Sequence, residues 1–381
     1  MIETHNNAKL KQYVCLFILL FVNFVFLIKY LGRVTEHNLP ISIAAVAFYY
    51  SLWHFRNAYA RMKINFNVVN YVLLIGFVSL SAFIFTKIDI HNLKVDRWSI
   101  ITAFWDNYFK GEYVYYAKSF AGWYPGPMPF YFVIALPFML LGELGYFSLL
   151  GVVVMFWIMK WQKMKPAEMT VFLLFIMLGC FYLWEVFSRS NILVNAALVL
   201  AVIIYFLQQK SFESLKTKLV VGVLIGLVMS TRNVFVIPFV ILFLYALKAK
   251  IFNFAQALSI GAIALFVFAV TFVPFVVGFW DDFLLMNPFL IQSSVLIPFS
   301  WSFTCILVSA GLFLFCKKNL DVFFYSGLAL FLTIIAHFAY QSIDHGLYGA
   351  LFDSYADVGY FMLGMPFTLY YLFKANELVF D

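Results

Sequence analysis

Residues 66–86 read FNVVNYVLLIGFVSLSAFIFT, and residues 87–126 after them read KIDIHNLKVDRWSIITAFWDNYFKGEYVYYAKSFAGWYPG. The first stretch holds no Asp, Glu, Lys or Arg and has the length, about 20 residues, that crosses the hydrocarbon core of a bilayer. The second holds nine charged side chains among many aromatic ones and is the one long water-facing stretch in the sequence. A chain that alternates apolar spans with short connections, and gathers its polarity in one loop, is built for lipid. Its function is to be sought at that loop.

Working outward, apolar runs recur at about 12–30, 39–55, 127–142, 145–160, 168–184, 191–208, 218–230, 233–248, 253–279, 296–316, 322–340 and 358–373. The 381 residues are 65% hydrophobic and 11% charged, with a mean hydropathy of +0.94. A soluble domain carries about 25% charged residues, so that class is excluded. The runs are continuous and do not alternate, which excludes a transmembrane β-barrel. At about 20 residues per span the apolar residues supply about a dozen crossings. The expected fold is all-α: one integral membrane domain over 1–381, a polytopic transmembrane bundle of about 11–13 helices, with a large external loop at about 87–126.

The net charge of +7 comes from Lys and Arg scattered between apolar runs, the pattern that orients membrane helices. Arg56, Arg61 and Lys63, Lys160, Lys163 and Lys165, Lys210, Lys216 and Lys218, Lys248 and Lys250, Lys317 and Lys318, and Lys374 are assigned to the cytoplasmic side. The connections 185–190, 231–232, 280–295 and 341–357 then face outward with the 87–126 loop, and the N-terminus is cytoplasmic. Keeping Lys160–Lys165 inside requires 127–142, with Pro129 and Pro137, to be a re-entrant or broken helix, a backbone tolerated where protein or a water-filled cavity covers it. The run Tyr13–Tyr30 lacks a small-residue cleavage site and reads as a retained helix. Cys15, Cys180, Cys305 and Cys316 lie in apolar runs and read as packing residues.

Within the loop, Trp98, Ile101, Trp105, Tyr108 and Phe109 recur at helical spacing from Arg97 to Lys110, with Ser99, Thr102, Asp106 and Lys110 largely between them. Gly111 is a natural stop. This predicts a tryptophan-rich amphipathic helix in the membrane interface, either a lid over the bundle or one wall of a site. Asp96 opens it, as an N-cap, as a general base held at the membrane surface, or as both. Asp89 is a second candidate. On the same outward side, EVFSRSN places Glu185, Arg189 and Asn191 at a helix turn with Asn195 one turn deeper, and STRN places Ser230, Thr231, Arg232 and Asn233 at another. Arginines at such ends suit a phosphate through forked donors. They equally suit an i,i+4 pairing of Arg189 with Glu185 and a snorkelling Arg232. Asp281, Asp282, Asp344, His345, Asp353 and Asp357 lie in later outward loops. The histidines make no HExxH spacing, and no phosphate-binding glycine loop or GxSxG elbow is present.

The ordered series VDRWSIITAFWDNYFKGEY, GPMPFYF, LLGELGY, EVFSRSN, STRNVFVIPF and NPFLIQ, spanning about residues 85–300, resembles the bacterial GT-C superfamily of membrane glycosyltransferases, most closely its mannosyltransferase-like members. The resemblance implies an enzyme of the cell (inner) membrane. It would transfer a hexose or pentose, mannose being favoured, from a polyprenyl-phosphate donor to a lipid-linked or extracytoplasmic glycan or protein acceptor, with inversion, on the extracytoplasmic face. It places the catalytic base on Asp96 or Asp89 and the phosphate and substrate contacts on Arg97, Glu185, Arg189, Asn191 and Arg232. No cofactor is fixed by it, and a divalent cation, Mg²⁺ or Mn²⁺, stays open. The rival readings are a flippase of lipid-linked sugars and a non-enzymatic membrane assembly partner. The first would string polar residues through matched halves of the bundle; no matched halves are seen.

Overall fold

The computed structural model describes residues 2–93, 95–295 and 298–380, and among them every regular element is helical. Among the described residues, four helices are long and apolar enough to cross a membrane: Asn6–Leu31, Phe66–Phe85, Phe254–Val276 and Asn319–Leu351. Two bent pairs bring the number to as many as six: Pro129–Leu140 with Gly145–Trp161, and Pro166–Met177 with Cys180–Phe187. The remaining apolar sequence goes into shorter helices, among them Ile192–Leu207, Asn233–Lys248 and Ser300–Phe315. The expected dozen crossings is therefore reduced by this measure. Dividing apolar residues by a span length counts segments that prolines and glycines break into pieces of 17 residues or fewer.

The run 127–142, expected to be a re-entrant or broken helix, holds one continuous helix, Pro129–Leu140, with Pro137 inside it, and the bend that a broken span or re-entrant loop needs follows its end. The chain turns by 114° between Leu140 and Gly145, and Phe138 stacks on Phe147 across the corner with ring centroids 5.1 Å apart. A second break was not anticipated: the run read as 168–184 bends by 59° near Gly179. A Cβ at Gly179 would lie 2.7 Å from the Phe181 ring and 2.9 Å from the Phe175 carbonyl, so the bend has room only for glycine. The run read as 322–340 continues to Leu351, past a non-helical Gly346 (φ 68°), so much of the expected 341–357 loop is helical.

The chain forms two compact units. The first comprises Met1–Ile88, Ser148–Ala197 and Leu330–Asp381; the second comprises Asp89–Phe147 and Leu198–Ala329. In the first unit, polar residues inside apolar helices serve as staples. Asn23 bonds the Leu19 carbonyl with its amide nitrogen, while its oxygen accepts from the Cys180 backbone at 2.7 Å, filling a donor left open by the break at Gly179. Asn70, in the Phe66–Phe85 helix, donates to the Pro166 carbonyl at 2.9 Å and accepts from the Thr170 hydroxyl at 2.6 Å. Gln12 reaches the Leu372 carbonyl. A buried polar group that finds a partner avoids a desolvation cost of about 1–3 kcal/mol.

In the second unit the tightest helix pair is Leu215–Met229 against Phe254–Val270. Gly222 and Gly226, four residues apart, let the backbones approach. A Cβ on Gly226 would sit 2.5 Å from the Ala264 carbonyl, and one on Gly222 would sit 2.6 Å from Ile263. This is the small-xxx-small logic of helix association in lipid, where hydrophobicity alone does not hold helices together. Asn253 and Gln256 close a reciprocal capping box at the start of the second helix of the pair.

Candidate functional site

The amphipathic helix of the loop runs Arg97–Lys110 and stops at Gly111, which takes the left-handed conformation (φ 72°) that glycine adopts without strain. Its inner face is Trp98, Ile101, Phe104 and Trp105, all buried. Phe104 stacks on Phe132 at 3.7 Å, and the Trp105 indole donates to the Phe132 carbonyl at 3.1 Å. Tyr108 and Phe109, read as part of the apolar stripe, are exposed at 39% and 61%. Phe104 takes their place because the helix packs on the Pro129–Leu140 helix, a partner that periodicity does not reveal.

Asp96 occupies the N-cap position, yet its side chain does not cap. Its Oδ2 accepts instead from the Ser119 hydroxyl at 2.8 Å, while Ser99 bonds the Asp96 carbonyl and accepts from the Phe120 backbone at 3.2 Å. Ser119 also accepts from the Trp123 backbone. Two serines thus clip the Ser119–Trp123 turn onto the start of the helix, and Phe120 lies against Trp98 with centroids 6.0 Å apart. The result is a half-buried carboxylate with a fixed direction. One hydroxyl fills only a fraction of its acceptor capacity, since a carboxylate offers about four lone-pair sites. Asp89 is exposed and its Oδ1 accepts from the His91 backbone at 2.9 Å, making it the cap of a short 3₁₀ turn. Arg97 is half-buried at the first position of the helix. Neither Ser99 nor Ser119 stood out in the sequence; the SxxxW spacing of Ser119 and Trp123 is the faint signal of that turn.

The STRN turn belongs to the same unit and supports the broken helix. The Ser230 hydroxyl accepts from the Phe130 backbone at 3.3 Å, its carbonyl accepts from the Tyr131 backbone at 3.3 Å, and the Thr231 carbonyl accepts from the Met128 backbone at 3.2 Å. The donors at the start of the Pro129–Leu140 helix are thus satisfied from another segment. Ser230 and Thr271 share a hydroxyl hydrogen bond of 2.6 Å. Arg232 leaves this turn in an extended conformation, half-buried, with its guanidinium 5.4 Å from the centre of the Tyr131 ring, a cation–π distance. Its Nε is buried and has no hydrogen-bond partner among the described residues.

Glu185, Arg189 and Asn191 fall in the first unit, and all three are 0% exposed. The Cys180–Phe187 helix ends in a Schellman turn, in which the Ser190 backbone donates to the Glu185 carbonyl and the Arg189 backbone to the Val186 carbonyl. Arg189 takes the left-handed position there (φ 54°), where glycine is the usual occupant. Its guanidinium donates to the carbonyls of Phe187 (2.9 Å), Ile88 (3.0 Å) and Phe85 (3.5 Å) and lies 4.6 Å from the Phe85 ring centre. It therefore closes the C-terminus of the Phe66–Phe85 helix, where a cation complements the helix dipole. Glu185 Oε1 accepts from the Leu193 backbone at 2.8 Å at the start of the Ile192–Leu207 helix, the end where an anion is favoured. The Asn191 amide makes no hydrogen bond among the described residues through either of its atoms, and the Oδ1 of Asn195 makes none either. These residues form a buried polar knot that organises two helix ends.

Asp281 and Asp282 open the short helix Trp280–Leu285. Asp357 caps the Val358–Leu363 turn through the Gly359 backbone, and His345 stacks on Tyr355. In the second unit, burial, then the charge of Asp282, holds the Tyr113 hydroxyl proton more tightly than usual, and that hydroxyl donates to the Met286 carbonyl at 2.7 Å. No group of three or more His, Cys, Asp or Glu that could hold a metal ion occurs among the described residues. The chain matches no family model, no curated protein and no solved structure.

Proposed function

We propose that this protein is an integral-membrane glycosyltransferase of GT-C type that takes a sugar from a polyprenyl-phosphate donor and passes it, with inversion, to a lipid-linked or extracytoplasmic acceptor. The observation that carries the reading is that one unit holds both a half-buried carboxylate oriented by a serine, Asp96, and a half-buried guanidinium, Arg232, whose Nε has no partner among the described residues. Both stand on elements that brace the Pro129–Leu140 helix. The ordered motif series supports the same class.

In this reading Asp96 accepts the proton of the acceptor hydroxyl as its oxygen attacks the anomeric carbon. The bond from that carbon to the phosphate oxygen breaks, and the phosphate leaves with its charge stabilised by Arg232. General-base assistance is worth about 10²–10⁴ in rate. Asp89, exposed and already capping a turn, is the alternative base. Glu185, Arg189 and Asn191 serve as supports of two helix ends in the first unit, with Arg189 bonded to the Phe187 and Ile88 carbonyls. A divalent cation, Mg²⁺ or Mn²⁺, would assist the leaving phosphate if one binds. The resemblance favours mannose as the sugar.

The test is sugar transfer from a panel of radiolabelled polyprenyl-phosphate sugars by protein in lipid nanodiscs with a crude lipid acceptor. Turnover of one donor supports the reading. Turnover of none, by protein that is folded and monodisperse, removes it and favours the flippase.

A further inference from the structure

In the first unit two basic groups far apart in the sequence meet at one end. Arg56, Arg61 and Lys63 lie on or just after the Arg56–Ala60 helix, which packs on the Pro166–Met177 helix. Lys160, Lys163 and Lys165 lie at the end of the Gly145–Trp161 helix and in the turn that leads to Pro166. Segments 56–63 and 160–168 thus carry six basic side chains and one acidic one, Glu168. The same end holds a small cavity of about 40 Å³, lined by Asn67, Asn70 and Tyr71 from the Phe66–Phe85 helix and by Phe156, Lys160 and Pro166. About 10–15 Å³ holds one water-sized group, so this volume takes the oxygens of a phosphate and excludes an acyl chain.

Lys160 donates to the Tyr71 hydroxyl, and its ammonium lies 4.8 Å and 5.0 Å from the ring centres of Tyr71 and Trp157. An ammonium carries three donors, and among the described residues no carboxylate meets this one. The surroundings identify the source of an anion that would. Trp157 and Trp161 are exposed, and so are Val68, Val72 and Ile75, which form one stripe of the Phe66–Phe85 helix leading away from Asn67. Tryptophans and an apolar stripe beside a snorkelling lysine mark the headgroup level of a bilayer. A free anion has no use for the stripe, whereas a phospholipid lays its acyl chains on it. We propose that the cavity at Lys160 takes the phosphodiester of an anionic phospholipid, with the acyl chains outside along Val68, Val72 and Ile75. The proposal is independent of the glycosyl-transfer reading.

The test is native mass spectrometry of the full-length protein, released from neutral detergent micelles and titrated with phosphatidylglycerol. The first phosphatidylglycerol should bind more tightly than the first phosphatidylcholine. Lys160→Gln should weaken it roughly fivefold, the effect of one basic side chain at a membrane surface, with the melting temperature unchanged. Lys160→Arg keeps the charge and should bind like wild type. Lys318→Gln, which removes a cation of the second unit, should change nothing. Excess inorganic phosphate should not displace the lipid. Equal binding of phosphatidylcholine, or wild-type binding by folded Lys160→Gln, would overturn the proposal. The same loss in Lys318→Gln would overturn it too, by showing that net charge and no particular site attracts the lipid. Displacement by inorganic phosphate would overturn the lipid as occupant and leave a bare anion site.

Discussion

Arg189 sets two effects of opposite sign against each other, and replacing it with glycine decides between them. A non-glycine residue in the left-handed region carries a cost of about 1–2 kcal/mol, which Arg189→Gly would release. The same change removes the guanidinium bonds to the Phe187 and Ile88 carbonyls, at 2.9 and 3.0 Å. Bonds to a charged group contribute about 1.5–3 kcal/mol each, so their loss costs roughly 3–6 kcal/mol. The third contact, at 3.5 Å to Phe85, is too long to count for much. The bonds win, and Arg189→Gly should be destabilised by roughly 1–5 kcal/mol. Arg189→Ala keeps the strained backbone and loses the same bonds, so it should be about 1–2 kcal/mol worse than glycine. The assay is thermal unfolding of detergent-solubilised protein followed by tryptophan fluorescence at one scan rate, because such unfolding is read as a ranking and not as an equilibrium. The expected order of stability is wild type, then glycine, then alanine. A glycine variant as stable as wild type would show that the guanidinium holds no helix end and is available for other work.

Asn191→Leu removes a fully buried amide that has no hydrogen-bond partner among the described residues, so stability should rise by about 1–3 kcal/mol, while a fall would reveal partners such as internal water. Gly226→Leu drives a side chain into the Ala264 carbonyl and should cost about 1–3 kcal/mol or more in the same melting assay, whereas Gly261→Ala should be silent. Ser119→Ala frees the Asp96 carboxylate and the turn behind it; limited proteolysis should cut at 119–123 sooner, and transfer should fall through kcat more than through KM. The Tyr113 hydroxyl has a folded pKa raised above the usual value near 10, so the stability it adds is complete below about pH 10 and is lost as pH climbs above it. Tyr113→Phe should flatten that alkaline loss, as read by melting temperature against pH.

The class of fold was legible in the sequence because it rests on composition and on run length, which need no partner. The Arg97–Lys110 helix and its stop at Gly111 were legible too; that 127–160 does not run as two straight spans was also legible, although the bend falls after Leu140 and not at the prolines. What stayed hidden depends on contacts distant in sequence. Phe104 is buried because Phe132 stacks on it, 28 residues away. Ser230 caps a helix that begins 101 residues earlier at Pro129, and only a fold makes the two meet. The bend at Gly179 is written in crowding by Phe181 and Phe175, which a sequence read as one apolar run does not announce. The arginines illustrate the same point. Both looked like phosphate ligands at helix ends, but Arg189 is enclosed among carbonyls while Arg232 keeps a nitrogen without a partner among the described residues.

In the proposed function Asp96 is a working carboxylate and not only a fastening for the Ser119 turn. Asp96→Asn keeps an acceptor oxygen for Ser119 and leaves position 96 unable to take a proton, so fold and function separate in one variant. Sugar transfer from the preferred polyprenyl-phosphate donor should drop by about 10²–10⁴ with the melting temperature unchanged. Transfer at the wild-type rate in Asp96→Asn would contradict the account.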